Sequence, residues 1–135
     1  MKILKQIAIY IQVLFYFLAG LNHFISPAIY ISMIPQWLPA PELLNHLSGI
    51  AEMIAALLFA FPRTRWLGAW AIVWTLLGVF PANVMMAIEG PPENFPFNTE
   101  PWMLWVRLPV QFLLMYWAFS LRYEGAPKAN SDADR

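Results

Sequence analysis

Four long apolar stretches separated by proline-rich breaks constrain this chain more than any other feature. The stretches cover about residues 7–24, 43–61, 66–88 and 102–121. Each is close to the ~20 residues that a helix needs to cross the hydrocarbon core of a bilayer. Proline lacks an amide hydrogen and clashes with the preceding helical turn, so the breaks are expected to end helices. The pattern predicts an all-α fold, an integral membrane four-helix bundle formed by residues 1–123.

The composition supports a membrane protein with the lipid bilayer as its main partner. The chain is 60% hydrophobic and 12% charged, whereas a soluble domain carries about 25% charged residues. The formal net charge is zero, so electrostatics gives no reason to expect a nucleic-acid partner. The chain has no cysteine, which excludes disulfides and thiolate metal sites built from this chain alone. We therefore expect no metal site and no intrinsic cofactor.

The first stretch has a basic start, with Lys2 and Lys5, as a secretory signal peptide does. Its apolar region is too long for a signal peptide, however, and no Ala-x-Ala cleavage site follows. We therefore expect a membrane span.

The basic residues outside the stretches predict how the bundle is oriented. They lie before the first stretch, between the second and third, and after the fourth. These residues are Lys2, Lys5, Arg63, Arg65, Arg122, Lys128 and Arg135. Since Lys and Arg concentrate in cytoplasmic loops, both termini are expected to be cytoplasmic. The polar tail, residues 124–135, is expected to be disordered.

Several polar residues lie within the apolar stretches. Charged groups in a bilayer are costly, so they usually face the bundle interior and find partners. From the ~1.5 Å rise per helical residue, Glu52 and Arg107 lie at depths that the long arginine side chain can bridge. We expect a Glu52–Arg107 ion pair in the outer half of the bundle, flanked by Gln111, Asn83 and His23. These five residues are the candidate ligand-binding residues, and no catalytic residue is assigned.

Helical spacing groups further polar residues with this cluster. Asn45, Ser48 and Glu52 share one face of the second stretch, and Gly49 beside them permits close helix packing. In the first stretch a stripe is formed by Gln12, Tyr16, Ala19 and His23. The cluster has two interpretations, a ligand site or polar contacts that only join the helices.

His46 lies about 120° around the helix from Glu52, which argues against a metal site there. His23 and His46 are the only two histidines, and a haem held between them is an alternative to plain interfacial side chains. We favour interfacial side chains.

The first connection, residues 25–41, mixes prolines with large apolar side chains. It is expected to form a short amphipathic element that covers the bundle, either as a cover over a ligand or as a membrane anchor.

Short motifs between residues 19 and 87 combine small, polar and proline residues. They are Ala19-Gly20-x-x-His23-Phe24, Pro27-x-x-Tyr30-x-x-Met33-Ile34-Pro35, Leu38-Pro39, Ser48-Gly49-x-x-Glu52, Pro62-x-x-Arg65 and Val79-Phe80-Pro81-Ala82-Asn83. Together they resemble the DoxX family of small membrane proteins. The resemblance implies a four-helix DoxX/DoxD-type protein of the bacterial inner (cytoplasmic) membrane. Proteins of this type include a subunit of an archaeal thiosulfate:quinone oxidoreductase.

Two functions are compatible with these features. The first is binding of a quinone-like or other lipophilic small molecule in the outer half of the bundle, in support of an oxidoreductase partner protein. The chain has no cysteine and no recognisable nucleotide or flavin motif, so catalysis by this chain alone is not expected. The alternative is a non-enzymatic transporter, stress-response or assembly protein whose polar cluster is structural.

Overall fold

The computed structural model describes residues 1–93, 95 and 97–127, and this part of the chain is all-helical, without a strand. Residues 128–135 of the predicted disordered tail lie outside the described residues. The five helices are α1 (Lys2–Ile25), α2 (Pro27–Met33), α3 (Pro41–Ala60), α4 (Arg65–Glu89) and α5 (Pro101–Ser120). The all-α prediction is therefore confirmed for the described residues.

Proline and glycine mark the ends of several helices. Pro27, Pro41 and Pro101 are the first residues of α2, α3 and α5, where the missing amide hydrogen costs no helical bond. Helix α4 ends at Glu89, and Gly90 follows with a φ of 88° and donates its amide to the Met86 carbonyl. Helices α3, α4 and α5 begin and end within about two residues of the predicted boundaries, whereas α1 begins at Lys2, before the predicted start at residue 7.

Three helices, α1, α3 and α4, are long and apolar enough to cross a membrane. Helix α5 has 20 residues, but Arg107, Gln111 and two prolines lower its apolar content. A fourth span and the cytoplasmic position of both termini remain predictions.

The four long helices pack in the order α1–α3–α4–α5, and α2 lies against α1, α3 and α4. A buried apolar cluster that includes Ile9, Phe59, Ile72 and Ala118 joins all four long helices near the α3–α4 turn. We call this the turn end, and the opposite end the α2 end. Among the described residues, α1 and α5 pack little against each other elsewhere. The bundle is therefore open between α1 and α5 toward the α2 end.

Helices α1 and α3 make backbone contact at two glycines. A Cβ atom added at Gly20 would lie 2.6 Å from the Gly49 carbonyl oxygen, and one added at Gly49 would lie 2.8 Å from the Gly20 oxygen. The close packing predicted at Gly49 is thus present, and it brings His23 of α1 against α3.

Arg65 stabilises the turn end. Its side chain is 1% exposed. Its guanidinium donates to the carbonyls of Phe59 and Ala60 at 3.0 Å each, and also to the Glu124 carbonyl. The last carbonyls of a helix lack intrahelical donors, so Arg65 completes the end of α3 and holds the segment after α5. One basic residue behind the orientation prediction therefore also has a structural role.

Candidate functional site

A cavity of about 260 Å³ lies between α1 and α5 toward the α2 end, and we call it the lateral cavity. All five candidate residues line it, namely His23, Glu52, Asn83, Arg107 and Gln111. Phe15 of α1 and Val110 of α5 also line it, and both are substantially exposed on the outer surface. The lateral cavity therefore opens through the side of the bundle, with an apolar mouth and a partly polar interior.

Helix α2, which lies in the connection after the first stretch, contributes to the wall of this cavity. Its Tyr30 and Met33 are part of the lining. The Tyr30 ring stacks on the His23 ring, with centroids 3.7 Å apart and planes at 21°. Asn22 Nδ2 donates to the Tyr30 hydroxyl at 2.9 Å. Tyr30 thus ties α2 to α1 beside the site.

His23 is the centre of a polar network between α1 and α3. Asn45 Nδ2 donates to the His23 carbonyl at 2.9 Å, which directs Asn45 Oδ1 toward His23 Nδ1 at 2.8 Å. An amide oxygen only accepts, so Nδ1 carries a hydrogen and donates. The other ring nitrogen, Nε2, lies 3.6 Å from Glu52 Oε1. The imidazole is therefore fixed between an amide and a carboxyl group.

The predicted Glu52–Arg107 ion pair is wrong. Among the described residues, Lys5 forms an ion pair with Glu124, and the Glu52 carboxyl group faces the His23 imidazole rather than Arg107. The prediction compared depths along the helices and did not include the crossing of α1 and α3. That glycine contact brings His23 to Glu52, whereas Arg107 lies on α5 and lines the same cavity from another helix.

Asn83 and Gln111 join α4 to α5 in the wall of the lateral cavity. Asn83 Nδ2 donates to Gln111 Oε1 at 2.9 Å, and Gln111 Nε2 donates to the Leu76 carbonyl. Leu76 lies in the α4 turn that precedes Pro81, and α4 continues through that proline. The predicted proximity of Asn83 and Gln111 is confirmed, and their bond accounts for part of the polar wall.

Some buried polar atoms have no hydrogen-bond partner among the described residues. They are both side-chain polar atoms of Gln12, the Tyr16 hydroxyl and Glu52 Oε2. Tyr16 is only 4% exposed. Tyr16 and Glu52 both line the lateral cavity and also a small void of about 10 Å³ beside it. Because buried polar groups are nearly always paired, these two side chains require a partner that the described residues do not supply, which can be a water or a ligand group.

A further void of about 70 Å³ lies beside the lateral cavity, against α2. It shares His23, Tyr30 and Asn83 with the lateral cavity and adds Asn45 and Ser48. The polar face predicted on the second stretch therefore extends the same site.

The family model that matches the chain is described as Domain of unknown function (DUF8561), and it covers residues 13–122. The chain belongs to this family. All residues that line the lateral cavity lie within the matched part of the chain. The searches of curated proteins and of solved structures gave no match. The resemblance to the DoxX family is not tested by these comparisons and stays a prediction.

This DUF8561 protein offers no obvious metal centre in the described residues, where no group of three or more His, Cys, Asp or Glu side chains could hold an ion. His46, considered above with His23 for a haem, is exposed. Its ring stacks on Phe24 with centroids 5.3 Å apart. His46 is also absent from the lining of the lateral cavity.

Two residues that line the cavity, Tyr16 and Tyr30, were not among the five candidate residues. Helical spacing had already placed Tyr16 on the same face of the first stretch as His23, seven residues later in the chain. Tyr30 gave no comparable signal, because its position depends on how α2 folds back over α1.

Proposed function

We propose that this DUF8561 protein is a multi-pass protein of the bacterial inner (cytoplasmic) membrane that binds a lipophilic small molecule with a polar headgroup. The observation that carries the proposal is the lateral cavity, which combines an apolar side opening with buried polar atoms that lack partners. A quinone-like molecule has the required chemistry, a polar ring with an apolar tail.

The outer surface of the helices supports a membrane location. Leu113 and Tyr116 of α5 are 65% and 71% exposed, and Trp74 of α4 is 67% exposed. Large exposed apolar surfaces are unusual on soluble monomers. On α5 they support a fourth span despite the polar residues on its other face. With the basic residues on the cytoplasmic side, the lateral cavity would lie in the outer half of the bilayer.

The size and shape of the cavity suit the headgroup of such a molecule. A volume of about 260 Å³ lies just below the ~300–1,000 Å³ typical of small-molecule pockets. A headgroup would contact Tyr16, His23 and Glu52, while an apolar tail would leave between Phe15 and Val110. Entry from the lipid phase then requires no passage through water.

Arg107 is an exposed residue in the lining of the cavity, where its guanidinium is available to contact a ligand. It makes no ion pair or side-chain hydrogen bond within the described residues, although it lines the cavity. Intramembrane ionisable residues usually have a partner or a function. The alternative, a structural cluster, is favoured by the His23–Asn45 and Asn83–Gln111 bonds, which join helices without a ligand.

A role beside a membrane oxidoreductase follows from the DoxX resemblance and is part of the proposal. The protein would then hold or deliver the lipophilic molecule, and electron transfer would belong to the partner protein.

The test is to extract the protein with its native lipids and to analyse the organic extract by mass spectrometry. Two variants complete the design. Leu114→Trp fills the lateral cavity, whose wall includes Leu114. Leu113→Trp places the same bulk on the exposed face one residue earlier. We expect a lipophilic species other than phospholipid with the wild type and Leu113→Trp, and its loss with Leu114→Trp. The same phospholipid profile from all three proteins would contradict the proposal.

A further inference from the structure

The unpartnered hydroxyl of Tyr16 and the unpartnered Oε2 of Glu52 indicate which headgroup the lateral cavity accepts. Both atoms are buried and lack hydrogen-bond partners among the described residues. Both side chains line the same two cavities. We propose that Tyr16 and Glu52 together bind a hydroxyl group of the ligand. This inference rests on the proposed function and narrows its ligand class to phenols, quinols or alcohols.

The chemistry of the two side chains supports a hydroxyl. A tyrosine hydroxyl donates one hydrogen, whereas an ionised carboxylate only accepts. A ligand hydroxyl can accept from Tyr16 and donate to Glu52 at once. A carbonyl or ether oxygen can accept from Tyr16 but leaves the Glu52 oxygen without a donor.

The environment of His23 explains why Oε2 is available as an acceptor. Asn45 fixes the hydrogen of His23 on Nδ1, so Nε2 and Glu52 Oε1 face each other at 3.6 Å. A contact of this kind needs one hydrogen, carried either by the imidazole or by Oε1. In both cases Oε2 keeps its lone pairs free for a ligand. Hydrogen bonds to charged groups are stronger than neutral ones, so the imidazolium–carboxylate arrangement favours a ligand donor most.

When no ligand is bound, the buried Tyr16 hydroxyl lowers the stability of the fold. Burying a polar group without a partner is unfavourable, and replacing it with an apolar group of similar shape is neutral or stabilising. Tyr16→Phe should therefore fold at least as well as the wild type and lose only the contact with ligand. A hydroxyl that served the fold alone would give the opposite result.

The experiment compares two redox-inert probes, 4-octylphenol and its methyl ether 4-octylanisole, which differ only in the hydroxyl hydrogen and one methyl group. The full chain is placed in lipid nanodiscs, and bound probe is measured by equilibrium dialysis against empty nanodiscs. We expect the phenol to bind about tenfold more tightly than the ether, as two hydrogen bonds with one charged partner allow. The preference should fall below about threefold in Tyr16→Phe and in Glu52→Gln. Tyr10→Phe is the matched control, since Tyr10 is exposed on the same helix, and should keep the full preference.

Each other outcome contradicts the inference. Equal binding of both probes, lost in Leu114→Trp, would overturn the hydroxyl contact and leave the proposed function standing. Binding of neither probe would also overturn it, and the organic extract of the native protein would decide the proposed function separately. A clear drop in the melting temperature of ligand-free Tyr16→Phe would show that the hydroxyl has a structural partner.

Discussion

The glycine contact between α1 and α3 gives the sharpest prediction about stability. An added Cβ at Gly49 would lie 2.7 Å from His23 Cβ, 2.8 Å from the Gly20 carbonyl oxygen and 2.9 Å from Phe24 Cε2. The Gly20 oxygen is a backbone atom, and His23 Cβ is bonded directly to the backbone. Neither atom can therefore move away through a change of rotamer. In Gly49→Ala the two helices must therefore separate, and His23 must move relative to Glu52.

The magnitude follows from two opposing effects. Overpacking of a close contact typically costs about 1–3 kcal/mol. Replacing a helical glycine with alanine gains about 0.5–1 kcal/mol. We expect Gly49→Ala to lower the free energy of unfolding by up to about 2.5 kcal/mol. Gly78→Ala is the control, because nothing lies within 4 Å of a Cβ at Gly78 in α4, and it should raise stability by about 0.5–1 kcal/mol.

The assay is reversible unfolding in mixed micelles, followed by circular dichroism, with the wild type and both variants under identical conditions. The critical result is that Gly49→Ala lowers the free energy of unfolding whereas Gly78→Ala raises it. If Gly49→Ala were as stable as Gly78→Ala, the backbone contact that places His23 against α3 would be refuted.

Two further predictions concern polar contacts. Arg65→Lys should lower the free energy of unfolding by about 2–4 kcal/mol, because one ammonium cannot replace three guanidinium bonds to carbonyls; Arg63→Lys, on an exposed residue of the same turn, should change it by less than about 0.5 kcal/mol. The measurement is the free energy of unfolding of each variant. A large decrease in both variants, or in neither, would contradict the role of Arg65 in capping α3. A double-mutant cycle with Asn83→Leu and Gln111→Leu should give a coupling free energy of about 0.5–1.5 kcal/mol, and additive effects of the two changes would contradict their bond.

The positions of the long helices, and several of the polar residues that line the lateral cavity, were predictable from the sequence. Apolar runs predicted four spans, and three of the corresponding helices are long and apolar enough to cross a membrane. Pro41 and Pro101 marked where α3 and α5 begin. The five candidate residues all line the lateral cavity, and four of them turn toward the interior as polar side chains in apolar helices usually do, whereas Arg107 is exposed. That rule identifies which residues gather but says nothing about which of them form pairs.

The pairing depended on tertiary packing that a single sequence does not reveal. His23 meets Glu52 because two glycines let α1 and α3 approach, while Arg107 lies on α5. The orientation argument used Arg65 only as a basic residue between two stretches, and the structure shows its side chain buried against carbonyl groups. In both cases the sequence identified a polar or charged residue that needed a partner. Which partner it has depends on how closely the helices approach each other.

The most direct test of the lateral cavity as a ligand site is site-specific photo-cross-linking in living cells. Benzoylphenylalanine is incorporated at Leu114, which lines the cavity, or at Leu113, which faces outward on the same helix. Mass spectrometry then identifies the adducts. We predict a lipophilic adduct other than phospholipid at residue 114 and phospholipid adducts alone at residue 113. Identical phospholipid adducts at both residues would contradict the account.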